Sequence, residues 1–335
     1  MSEPSSSGNL IHRFRHWVIG AIAFGAVLYL VGAVWAGLDQ VGAELRGFRW
    51  GLLVPVVLLT LLNYTLRFVK WHYLLGRLDV RMPLREDAWN FAAGLAMVIS
   101  PGKAGELLKP YVVRERTGTP MATTIPALIT ERLTDGIAML ILAGLGVATY
   151  AADKVHYLTI PAVLTVVCLG VLAHRGLSMK LLALGARVPG LGRIVPKLEE
   201  MYLAMRTCLA PVPLVWTVFL SVVAWEAECV GFMLVFEGLG IDAGLGVCTF
   251  IYAFATVAGG AMPGGLGVAD GALAGGAVRL IGGVSEPVAV AAALLVRVAT
   301  LWIGVFLGAL ALVVVSRMLG GSLSLEETPA VETDP

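Results

Sequence analysis

Twice in this chain a Pro-Gly pair interrupts an apolar stretch: Ser100-Pro101-Gly102-Lys103-Ala104-Gly105-Glu106 and Met262-Pro263-Gly264-Gly265-Leu266-Gly267. Proline removes a backbone donor and clashes with the preceding turn, and glycine leaves a helix readily. Neither stretch can therefore run as one continuous helix. Hydrocarbon offers no partners to the freed N–H and C=O groups, so broken backbone at membrane depth survives only inside protein or beside a water-filled cavity. Paired breaks at corresponding positions of two halves point to a transport or lipid-handling site.

The runs flanking the breaks are of membrane length. Of 335 residues, 58% are hydrophobic and 14% charged, and about 20 mostly apolar residues suffice to cross the hydrocarbon core. Six spans are predicted, at 17–38, 52–75, 125–150, 157–173, 211–236 and 287–315. The interrupted segments 88–113 and 246–281 read as re-entrant helical hairpins. The fold class is an all-α polytopic membrane protein, a single transmembrane domain over 17–317. A cytoplasmic segment (1–16) precedes it and a disordered cytoplasmic tail (318–335) follows. With both termini inside, most of the 24 basic residues lie on the inner side, against Arg46, Arg49, Lys154 and Arg279 outside. That asymmetry supports the orientation. Residues 178–207 alternate apolar and charged positions around Pro189-Gly190, the pattern of two amphipathic helices lying in the inner interface.

Each half, 52–150 and 211–315, reads as span, broken hairpin, span. Arg67 and Glu228 precede the two breaks at comparable distances, and Arg132 and Arg297 follow them. One further span separates the halves, so the second enters from the opposite face, giving an inverted repeat.

Eight ionisable groups fall within spans: Arg67, Lys70, Glu131, Arg132, Asp135, Glu226, Glu228 and Arg297. Each charge at the bilayer centre costs roughly 2.5–3.5 kcal/mol on insertion scales, so these groups must face one another or water. One reading makes them paired ions that fix helix packing. The other has Arg67, Arg132 and Arg297 bind a phosphate as it crosses, because the planar guanidinium donates two parallel hydrogen bonds. Lys70 supports them, from a depth at which it can snorkel to the interface. The acids then neutralise these cations in the empty site, or take an amine or a proton.

The first break adds Lys103, in the first turn of a half-helix predicted over 103–113. A cation is unfavourable there without an anion nearby. Glu106 and Lys109 continue a charged stripe. Candidate binding residues thus include the backbone of Pro101, Gly102, Gly105, Pro263, Gly264 and Gly265. In the second break Gly265 stands where the lysine stands in the first, and Asp270 is its only acid.

Other chemistries find little support. The four cysteines are isolated and read as packing residues, and the five histidines lack metal-ligand spacing. No Gly-x-x-x-x-Gly-Lys-Ser/Thr loop for a nucleotide phosphate occurs, nor a nucleophilic triad, nor a basic aromatic face for nucleic acid. No cofactor or metal is expected. The small-residue pattern Gly304-x-x-x-Gly308 reads as packing within one chain rather than as a dimer seam.

The combination of Arg67-Phe68-Val69-Lys70-Trp71, Ser-Pro-Gly-Lys-Ala-Gly-Glu at 100–106, Glu131-Arg132-x-x-Asp135 and Pro263-Gly264-Gly265-Leu266-Gly267 resembles a family of flippase-like membrane proteins. That family is related to the transmembrane part of lysylphosphatidylglycerol synthase, and the resemblance covers 17–317. It implies a flippase or scramblase of the bacterial or archaeal cytoplasmic membrane. Its partner would be a lipid with an anionic headgroup, phospholipid or isoprenoid-linked. The full synthase adds a soluble aminoacyltransferase domain, for which the short tail leaves no room, so that activity is expected to be absent. A membrane-embedded transferase acting on a lipid-linked substrate is an alternative, as is an accessory subunit of cell-envelope biosynthesis.

Overall fold

The computed structural model describes residues 34–150, 155–176, 178–180, 195–260 and 262–319, with positions 27, 30 and 31 before them; the side chains of 101–103, 147–149, 155–157, 168 and 173 lie outside the description. Among the described residues every regular element is helical. In chain order they are α1 (Leu38–Gly47), α2 (Leu53–Arg77), α3 (Leu84–Ala96), α4 (Leu108–Thr117), α5 (Met121–Tyr150) and α6 (Val155–Ala173). Then follow α7 (Val195–Cys208), α8 (Pro211–Gly238), α9 (Leu245–Ala258), α10 (Val268–Leu280), α11 (Glu286–Arg297) and α12 (Ile303–Met318).

Among the described residues, three helical stretches are long and apolar enough to cross a membrane: Trp50–Arg77, Pro211–Gly238 and Glu286–Met318. Their ends follow local rules. Pro211 opens α8 at a position where its missing N–H costs nothing. The third stretch is not one regular helix: a π turn over Val298–Trp302 joins α11 to α12 directly after Arg297. The expected span 17–38 falls mostly outside the described residues, as do the tails 1–16 and 320–335. The connection after it, expected on the outer side with Arg46 and Arg49, contains α1, which buries Val41 with Ala291. Of the expected interfacial helices, 181–194 are likewise not described. α7 packs on α5 and buries Tyr202, Met205 and Cys208, so it belongs to the helical body.

Two apolar cores form at opposite ends of α2. One gathers Val56 with Phe232, Phe236, Ile251 and Val296. The other gathers Trp71 and Leu74 with Phe91, Val112 and Val315. The second interrupted segment contributes Ile251 and Leu273 to the first core, and the first contributes Phe91 and Val112 to the second. The first break leaves α3 through two 3₁₀ turns, Met97–Ile99 and Pro101–Leu107. Ser100 stabilises it, since its Oγ accepts the Gly105 N–H at 2.8 Å and donates to the Met97 carbonyl at 2.7 Å. The second break turns through Pro263–Gly265, with Gly264, Gly265 and Gly267 at φ of 59°, 71° and 81°. Side-chain-bearing residues rarely occupy that region.

The two breaks touch. A Cβ on Gly264 would stand 3.3 Å from Ile99 Cγ2. Close approach of α12 to α3 helps hold them there, for a Cβ on Gly308 would lie 2.3 Å from the Ala96 nitrogen. The Gly304/Gly308 pattern therefore serves packing within the chain.

Candidate functional site

Helical periodicity places Arg67 and Lys70 on one face of α2, and Glu131, Arg132 and Asp135 on the facing turns of α5. α4 supplies Lys109, and the first break supplies Glu106. Lys70 Nζ lies 2.5 Å from Asp135 Oδ1 and 2.7 Å from Ser221 Oγ of α8. Lys109 pairs with Glu131, its ammonium 4.4 Å from the Trp71 ring centroid. Arg132 reaches Glu106 at 2.8 Å, Glu131 at 3.0 Å and Asp135 at 3.5 Å. Glu131, Lys70 and Lys109 are almost wholly buried.

Arg67 differs from its neighbours. Its nearest carboxylates are Glu131 at 3.5 Å and Asp135 at 3.7 Å, and these already hold Lys109 and Lys70 at closer range. Among the described residues its Nε, like that of Arg132, has no hydrogen-bond partner, although only 6% of the Arg67 side chain is exposed. The guanidinium lies 5.6 Å from the Trp225 ring centroid. Four cations (Arg67, Lys70, Lys109, Arg132) thus share three carboxylates (Glu106, Glu131, Asp135).

A second, smaller cluster serves the second break. Arg297 Nε bonds Asp270 Oδ1 at 2.7 Å, and Arg297 also donates to the Gly264 carbonyl at 2.6 Å. The other Asp270 oxygen accepts the Gly267 N–H at 2.8 Å. One ion pair therefore satisfies backbone groups that the Pro-Gly turn frees.

Both clusters open on one cavity of about 380 Å³. Arg67, Arg132 and Asp135 line it from the first side; Gly264, Gly265 and Arg297 line it from the second. Glu228 of α8 and Tyr252 of α9 also face it, joined by a hydrogen bond from Tyr252 Oη to Glu228 Oε2 at 2.7 Å.

A family model, the lysylphosphatidylglycerol synthase TM region, matches residues 18–308. The chain belongs to this family. Together with the three membrane-length helices, the match makes it a multi-pass membrane protein. No curated protein and no solved structure matches it.

In this member of the lysylphosphatidylglycerol synthase TM family, Arg67, Arg132 and Arg297 face the same cavity, as do Asp135, Glu228, Gly264 and Gly265. Lys70 is fully enclosed between α2, α5 and α8, so it does not snorkel. Glu106 and Lys109 form no stripe: the first takes Arg132 and the second reaches inward to Glu131. Glu226 points away from the cavity and accepts a hydrogen bond from Thr249 at 2.9 Å. Lys103–Leu107 is 3₁₀ rather than α-helical, and Ser100 takes one of its free N–H groups. The side chains of Pro101, Gly102 and Lys103 lie outside the description.

Several site residues carry no distinctive sequence signal. Trp225 and Tyr252 are single aromatics in apolar helices, indistinguishable there from packing residues. Asp270, the only acid of the second break, does carry a signal for its role, because an acid three residues after Gly267 can reach back to the backbone of a helix start.

Proposed function

We propose that this protein moves a phosphate-bearing lipid, phospholipid or isoprenoid-linked, across a bacterial or archaeal cytoplasmic membrane. The reading includes six spans and two re-entrant hairpins in an inverted repeat, halves about 52–150 and 211–315, with both termini cytoplasmic. In it the headgroup passes through the cavity between the halves while the acyl chains stay in lipid.

The observation that carries this is Arg67. A buried guanidinium with an Nε unpartnered among the described residues, facing a cavity and with no carboxylate closer than 3.5 Å, is poised for an added anion. A phosphodiester oxygen there would take the free donor. Arg132, a quarter exposed at the cavity wall, can give a second contact while keeping Glu106. The paired ions around them hold the site open in an otherwise apolar body. Family membership supports a lipid context.

The test is movement of a fluorescent phosphatidylglycerol between leaflets of proteoliposomes, read by chemical quenching of the outer leaflet. Wild type accelerates exchange and leaves lipid mass unchanged, whereas a transferase would change the mass. Arg132→Ala reduces exchange to the protein-free rate while the protein still elutes as a folded species. Unchanged exchange by that variant contradicts the mechanism.

A further inference from the structure

Four carboxylates around the cavity have a cation in close contact: Asp135 has Lys70, Glu131 has Lys109, Glu106 has Arg132 and Asp270 has Arg297. Glu228 has none. Among the described residues it forms no ion pair, and its one hydrogen bond comes from the Tyr252 hydroxyl. It is nevertheless 95% buried, in the middle of α8, with its carboxyl facing the cavity.

The groups that face it are few. α2 presents Tyr64 and Arg67, α5 presents Arg132 and Asp135, α9 presents Tyr252 and α11 presents Arg297. Arg132, Asp135 and Arg297 are held by their own partners. Tyr64 donates its hydroxyl to the Thr300 carbonyl. That leaves Arg67, which only shares Glu131 and Asp135 at 3.5 and 3.7 Å, as the least well matched cation of the cavity and Glu228 as its unpaired anion. With the site empty the five cations and five carboxylates balance, and an isolated buried charge of either sign would be costly. A phosphodiester bound at Arg67 adds one negative charge and sets it in the same low-dielectric space as Glu228. The cheapest way to restore balance is for Glu228 to take up a proton from water, carboxylate becoming carboxylic acid with no other bond made or broken. Tyr252 keeps its own proton and remains the donor to the carboxyl oxygen.

We propose that Glu228 is the proton-binding site of the cavity, so that binding of the lipid phosphate is linked to uptake of a proton. The inference rests on the phosphate reading above and adds a co-substrate to it. Lipid movement then responds to a pH gradient, because a site that binds phosphate and proton together in one leaflet releases both in the other.

Proton uptake can be measured without transport. Purified protein in weakly buffered detergent is titrated with dihexanoyl phosphatidylglycerol while a pH dye follows free protons. Wild type takes up about one proton per lipid bound, as linkage between the two sites requires. Glu228→Gln takes up none. Lipid binding by wild type without proton uptake overturns the proposal, as does uptake by Glu228→Gln equal to that of wild type. Infrared spectra of the lipid-free protein separate failure of this inference from failure of the phosphate reading. Acidification of wild type gives a carboxylic-acid band that is missing in Glu228→Gln and titrates at a different pH in Tyr252→Phe. If dihexanoyl phosphatidylglycerol does not bind but that band appears, the phosphate reading fails and the proton site stands. A band unchanged by both substitutions places the proton elsewhere and refutes the inference.

Discussion

The two breaks share a Pro-Gly pair and meet at one cavity, yet they are held by different means. The first is capped by a side chain, Ser100, and its surroundings crowd four cations on three carboxylates. The second relies on three left-handed glycines and a single ion pair whose remaining valences bind its own backbone. Charge that is shared and incompletely matched is available to a ligand. Charge consumed in fixing a turn is not. The chemistry of the site therefore lies mainly on the first side, and the second side gives it a rigid wall.

The largest effect is expected at Glu131. Its removal as Glu131→Ala strips Lys109 of its carboxylate and weakens the hold on Arg67 and Arg132, leaving buried cations uncompensated. Thermal unfolding in detergent should show a loss of about 3–5 kcal/mol. A loss below about 1 kcal/mol would mean that the network is more hydrated than its burial suggests.

Asp270 sharpens the contrast between the breaks. Asp270→Ala leaves Arg297 facing Gly264 without its carboxylate and should destabilise by about 3 kcal/mol. The double variant Asp270→Ala/Arg297→Ala should recover much of that loss, because it removes both members of the pair. If Arg297 is a structural staple, the recovered protein still moves lipid. A stable double variant that moves none would make Arg297 a phosphate ligand and erase the distinction drawn here.

Arg67→Lys is expected to act on transport more than on stability. The ammonium keeps the charge but loses the planar fork and the contact over Trp225. Lipid exchange should fall by roughly three- to tenfold, equivalent to about 1 kcal/mol. The smallest effect is expected at Glu226, which faces Thr249 away from the cavity. Glu226→Gln should change stability by no more than about 0.5 kcal/mol and leave exchange at the wild-type rate.

Much of this arrangement was legible in the sequence because it rests on short-range rules. Pro-Gly cannot continue a helix, and buried charges must meet one another. Spacing alone puts Arg67 beside Lys70 and Arg132 beside Asp135. What could not be read is pairing, which depends on how helices far apart in sequence rotate against each other. Lys109 looked like a neighbour of Glu106, but the 3₁₀ turn before α4 sends them to different partners. Glu226 and Glu228 were equivalent candidates until packing of α8 turned only the second toward the cavity. The π turn after Arg297 inserts itself into the helical ladder without any compositional mark.

In the proposed mechanism an incompletely matched Arg67 receives the lipid phosphate. Its most direct test is Arg67→Ala in the leaflet-exchange assay, with rates normalised to folded protein. A fall of about tenfold or more in exchange per folded protein is the expected result, since each tenfold corresponds to 1.4 kcal/mol of lost interaction. Exchange at the wild-type rate by the folded variant would contradict it.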